Sequence, residues 1–192
     1  MASLWCALPR RPLDQIALSL ISSESYAVTS DRPRRAYLEY MSQQKEIIST
    51  INSLIETLKD GQEGFRQASE AVKDFQLKML FGEYSLQRAK FAGELQNEAI
   101  NLGEHNPENT SSTAGALHRA WINLRSAITS HDDHAILAEC ERGEDSAVNE
   151  YKKAIEEKEL SAPIRETVFR QYTDVKSAHD RIRELRDAAK NN

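Results

Sequence analysis

The segment DDHAILAECERGEDSAVNEYKKAIEEK, residues Asp132–Lys158, reads as one long amphipathic helix. Ile136, Leu137, Cys140, Ala147, Tyr151 and Ala154 recur at spacings of three or four and form a single apolar stripe. Asp132 has the short acceptor side chain that caps a helix start. One residue breaks the pattern: Glu144 falls in the middle of the stripe. A charge buried there costs several kcal/mol unless it is paired or bound.

Working outward, three more segments have the same period. The first runs from about Gln43 to Val72, with Ile48, Ile51, Ile55, Leu58, Phe65, Ala68 and Val72 inward. The second, capped by Asp74, runs from about Phe75 to Leu102, with Leu77, Leu80, Tyr84, Arg88, Phe91 and Leu95 on its stripe and Gly103 as a C-terminal stop. The last begins at Ser161 and Pro163 and continues to about Ala189, with Val168, Tyr172, Val175, His179, Ile182 and Leu185 inward. Arg88 and His179 therefore join Glu144 on apolar stripes. A polar network of Arg88, Glu144 and His179, with Tyr84 and Tyr172 in reach, is expected at mid-bundle.

Short links make helices one and two, and likewise the last two, antiparallel hairpins. The polar stretch EHNPENTSST (Glu104–Thr113) and a short helix, about Ala114–Ile128, separate the hairpins. Leu117, Trp121, Leu124 and Ile128 give that helix an apolar face. Its length is enough to carry the chain back along the bundle. The predicted fold is all-α: an antiparallel four-helix bundle of the ferritin-like kind, with one helical crossover.

Seven glycines and five prolines in 192 residues favour such long helices. Three of the prolines, Pro9, Pro12 and Pro33, lie in residues 1–40, which show no sustained period. We read 1–40 as an N-terminal extension, disordered or loosely docked, with 41–192 as the domain and Met41 as a candidate natural start. A net charge of −5 argues against a nucleic-acid partner. No apolar run approaches the ~20 residues of a membrane span. Two distant cysteines, Cys6 and Cys140, give no disulfide framework, so a cytoplasmic location is expected.

LKDGQEGFRQASE (Leu58–Glu70), ALHRAWINLRSAI (Ala116–Ile128), DDHAILAECERGEDSAVNEY (Asp132–Tyr151) and RQYTDVKSAHDRIRELRD (Arg170–Asp187) resemble an uncharacterised bacterial family. That family is a four-helix-bundle domain of unknown function, placed in the ferritin-like superfamily. The resemblance covers about Ser42 to Ala189. It implies the fold and assigns no activity; association with stress is implied only by the company such domains keep.

A ferritin-like di-iron centre needs Glu-x-x-His on two helices. Three residues before His105, His118, His131, His134 and His179 stand Leu102, Gly115, Ile128, His131 and Lys176, so the motif is absent. A partial set remains: Glu141, Glu144 and His179, with Glu63 and Glu83 nearby. It is a degenerate site for iron, manganese or zinc in the alternative reading. Against it stands Arg88, expected at the level of Glu144, where it would repel a cation and pair with the carboxylate. The leading expectation is thus a non-catalytic bundle built on a buried Arg–Glu–His network, with no catalytic residue and no firm cofactor. A third reading is a homo-oligomer formed through the crossover helix and Trp121. His131–His134 reads as a solvated helix start rather than a chelate, and Cys140 as a small apolar side chain. Gly82, Gly93 and Gly143 should allow neighbouring backbones to approach closely.

Overall fold

The computed structural model describes residues 32–105, 124–130, 132–157 and 160–189. All elements among them are helices: α1 (Arg32–Ala71), α2 (Phe75–Asn101), α3 (Leu124–Ser130), α4 (Asp133–Glu156) and α5 (Ala162–Ala189). The chain divides into two compact units, Met1–Tyr40 and Met41–Asn192. The helix start expected near Gln43 is corrected to Arg32, inside the N-terminal extension. Its residues 33–40 are all exposed, so no apolar periodicity marked them as helical. Both apolar clusters of the core belong to the second unit.

Local chemistry sets the ends of the helices. The Asp74 carboxylate accepts from the Gln76 and Leu77 amides at 2.7 and 3.0 Å. That satisfies donors that the first turn of α2 leaves orphaned. Asp132 does the same for α4, through the His134 amide at 3.0 Å. At the other end of α2, Gly103 adopts φ 90°. The Gly103 amide then reaches the Ile100 carbonyl, and the Glu104 amide reaches that of Ala99. This pair of bonds is a Schellman cap, which requires the left-handed conformation glycine adopts without strain. Arg165 donates to the Ile155, Glu157 and Leu160 carbonyls and so closes the turn between α4 and α5.

Cross-helix contacts give the directions. Gln44 bonds to the Leu102 carbonyl, Ser85 bonds to the Gln62 carbonyl, and Phe65 stacks on Phe81, so α1 and α2 are antiparallel. Tyr151 meets Gln171, Asp145 meets His179 and Glu141 meets Arg186, so α4 and α5 are antiparallel too. One apolar cluster joins Leu95 and Ala99, late in α2, to Tyr151 and Ala154, late in α4. The other joins Phe81, early in α2, to Ile136, Leu137 and Cys140, early in α4. Helices α2 and α4 therefore point the same way. Leu124 and Ala127 of α3 lie in the second cluster, so the chain has returned to that end by residue 124. The rest of the expected crossover helix, Trp121 included, lies outside the described residues.

Most of the expected stripes face inward. In α5 the face is rotated: Ile164, Val168, Gln171, Val175, Ala178 and Ile182 are buried, whereas Tyr172, His179 and Leu185 sit at its edges. In α2, Phe81, Ser85, Ala92 and Ala99 are buried beside Arg88, whereas Leu77, Leu80 and Tyr84 are only partly covered.

Candidate functional site

Arg88 and Glu144 meet between the two parallel helices. Arg88 Nη2 donates to Glu144 Oε2 at 2.5 Å, and each side chain is 1% exposed. Arg88 Nη1 donates to the Gln87 side chain. The guanidinium carbon lies 5.6 Å from the Phe65 ring centroid, within the range of a cation–π contact. Phe65 is itself held against Phe81 and Tyr84, with centroids 5.9 and 5.4 Å away. On α1, Gly61 faces the arginine stem: a Cβ there would lie 3.6 Å from Arg88 Cγ. That is ordinary van der Waals contact, so the arginine stem packs directly against the α1 backbone at this point. Arg88 Nε and Glu144 Oε1 are buried and have no hydrogen-bond partner among the described residues. Burial pushes the Glu144 carboxyl above its ordinary range, and the attraction of Arg88 only partly offsets this.

Among the described residues no hydrogen bond joins the rest of the expected network to this pair, although the charge of His179 acts on Glu144 and the charges of Glu144 and Arg88 act on Tyr84. His179 leans to the edge of the bundle, 12% exposed. Its Nε2 is 2.9 Å from Asp145 Oδ1 and its Nδ1 is 3.1 Å from Asp180 Oδ1. It can donate to both carboxylates only as an imidazolium. Tyr172 packs against the edge of an apolar cluster. Tyr84 lies against Phe65, and burial raises its phenol above the usual value. For Tyr172 and His179 the rotation of α5 is the reason: it turns residues 171 and 178 inward, not 172 and 179.

The five candidate metal ligands are likewise dispersed. Glu63 is exposed and bound by Arg66, whose hydrogen bonds hold its carboxyl down at about 2. Glu83 is exposed on α2. Glu141 is paired with Arg186, Glu144 with Arg88, and His179 with two aspartates. Among the described residues, no three His, Cys, Asp or Glu side chains gather as a metal site. Three of these four carboxylates already have a cationic partner, and a cation entering would have to displace it.

Other candidates have structural work. The Asp133 carboxylate accepts from the Lys73 and Asp74 amides at 3.0 and 3.1 Å and so ties the α1–α2 turn to the start of α4. Cys140 is fully buried, and burial, with the charges of Glu144 and Glu139, raises its thiol well above the ordinary value. A thiol so disfavoured as thiolate is a poor nucleophile.

Sequence reading missed a second polar joint. Gln171 is fully buried. Its carbonyl accepts from the Tyr151 hydroxyl at 2.8 Å. Its amide donates to the Phe91 carbonyl at 3.2 Å and to Glu94 Oε2 at 2.8 Å. Arg170 also reaches Glu94, at 2.6 Å, and lies over the Phe91 ring. The signal was present: Ile164, Val168, Val175 and Ile182 set a seam spaced four, seven and seven, on which residue 171 also falls.

Residues 46–157 match a family described as a domain of unknown function, DUF2383. The chain belongs to this family. No curated protein matches it. The DUF2383 segment carries both partners of the buried ion pair and ends before α5. The resemblance read at Arg170–Asp187 thus lies outside the matched range. Among the described residues, no helix is long and apolar enough to cross a membrane.

Proposed function

We propose that this DUF2383 chain is a non-catalytic helical bundle of ferritin-like topology, in which the Arg88–Glu144 pair replaces a metal centre as the element that fixes helix register. The carrying observation is the pair itself: opposite charges, both 1% exposed, joined between α2 and α4. The shared direction of those helices supports the up-down-down-up order of ferritin-like bundles, in which a long connection separates two hairpins. A buried polar pair adds little net stability compared with apolar packing, but misaligned helices would strand both charges. A slip by one turn, about 5.4 Å, would separate the two charges. That penalty selects one register.

Two measurements test the reading. Untagged protein should purify without stoichiometric metal. Stoichiometric iron, manganese or zinc that Glu144→Ala removes would overturn it. The double replacement Arg88→Met/Glu144→Leu should still fold but give broadened amide spectra, from helices that sample more than one alignment. Spectra as sharp as those of the native chain would show that the pair does not set register.

A further inference from the structure

The outward face of α2 has its own pattern. Phe75, Met79, Gly82, Leu86, Ala89, Gly93, Gln96 and Ile100 alternate at spacings of four and three, the seam of a coiled coil. Phe75, Met79, Leu86 and Ile100 are 67%, 51%, 75% and 56% exposed. A Cβ added at Gly82 or Gly93 would meet nothing within 4 Å. The close backbone approach expected at these two glycines is therefore not made by any described residue, although each weakens the helix relative to alanine.

We infer that this seam is the interface with a second copy of the chain, packed antiparallel about a two-fold axis near Gln87 and Arg88. In a self-complementary interface the same face must fit itself when reversed. This one does. Reversed, Phe75 faces Ile100 of the second copy and Met79 faces Gln96. Leu86 faces the small Ala89, and Gly82 faces Gly93, so the backbones come closest on either side of the axis. The flanking residues complete the match. Glu83 and Lys90 are exposed, and neither forms a salt bridge with any described residue. In the reversed register each Glu83 lies beside Lys90 of the other copy, and Gln76 beside Asn97. The seam spans residues 75–100, roughly 38 Å of helix. A lipid surface would have no use for facing glycines, nor for one acid and one base in reciprocal positions. The inference stands apart from the role of the Arg88–Glu144 pair.

The test is the mass of the full chain in solution. Light scattering at about 10–100 μM should give twice the 21.8 kDa chain mass. Leu86→Glu should give monomer with unchanged far-UV circular dichroism. Glu83→Lys should weaken dimerisation about tenfold, and Glu83→Lys/Lys90→Glu should restore it. A monomeric native chain at 100 μM overturns the inference, and so does a dimer indifferent to Leu86→Glu. Loss of dimer in both charge variants overturns the antiparallel register. A monomer that binds phospholipid vesicles through Leu86 assigns the seam to another occupant.

Discussion

Arg88–Glu144 and Tyr151–Gln171–Glu94–Arg170 are both polar joints between helices, yet they differ in how completely they are satisfied. The first is sealed from water, with Glu144 Oε1 and Arg88 Nε lacking partners among the described residues. In the second, Gln171 uses both ends of its amide, and the charged members, Glu94 and Arg170, reach toward solvent. Desolvation dominates the first joint and hydrogen bonding the second. Their acids consequently shift in opposite directions. Glu144 is raised by burial. Burial would raise Glu94 too, but hydrogen bonds from Arg170 and Gln171 hold it below the ordinary range.

The largest effect should come from breaking the sealed joint on one side. Glu144→Ala strands a buried guanidinium and should cost about 3–5 kcal/mol in urea unfolding, whereas Arg88→Met/Glu144→Leu should be neutral or stabilising. A loss below about 1 kcal/mol for the single variant would remove the contrast with the second joint. Next is Gln171→Leu, which leaves the buried Tyr151 hydroxyl without its acceptor and should cost about 1–3 kcal/mol.

The pH dependence should separate the joints by sign. Glu94, lowered in the folded state, contributes stability above the unfolded value of roughly 4.3, and this is lost as pH falls through its folded value. Glu144, raised in the folded state, behaves oppositely: its contribution is fullest below the unfolded value and declines as pH rises through the folded one. Thermal melts across pH 3–8 should therefore show Glu94→Gln least harmful in acid. Glu144→Gln should be most harmful in acid and less so as pH rises. Parallel curves for the two variants would erase the distinction. The smallest effect should be Gly82→Ala, a gain of about 1 kcal/mol in monomer stability from helix propensity alone, read by the same melts on a Leu86→Glu background.

Much of the fold was legible in the chain. Ile51, Ile55, Leu58, Phe65, Ile136, Leu137 and Tyr151 repeat at helical spacing and are buried as read. Asp74, Asp132 and Gly103 mark helix ends because capping is local chemistry. Arg88 and Glu144 stood out because charge on an apolar stripe demands an explanation. The start of α1 was hidden, since an exposed helix needs no apolar period. The place of His179 was hidden as well: a turn of α5 about its axis, small enough to leave Val168, Val175 and Ile182 buried, decides whether 171 and 178 or 172 and 179 face the core.

The sequence alone determined which stretches are helical, where most of them end, and which charged residues had to find partners, because those follow from spacing along one chain. Only the tertiary structure decided the partners. Glu141 went to Arg186, His179 to two aspartates, and Gln171 to Tyr151 and Glu94. Pairing depends on the rotation of each helix about its axis, and that rotation is a property of the packed bundle, set by all the side chains that must fit together.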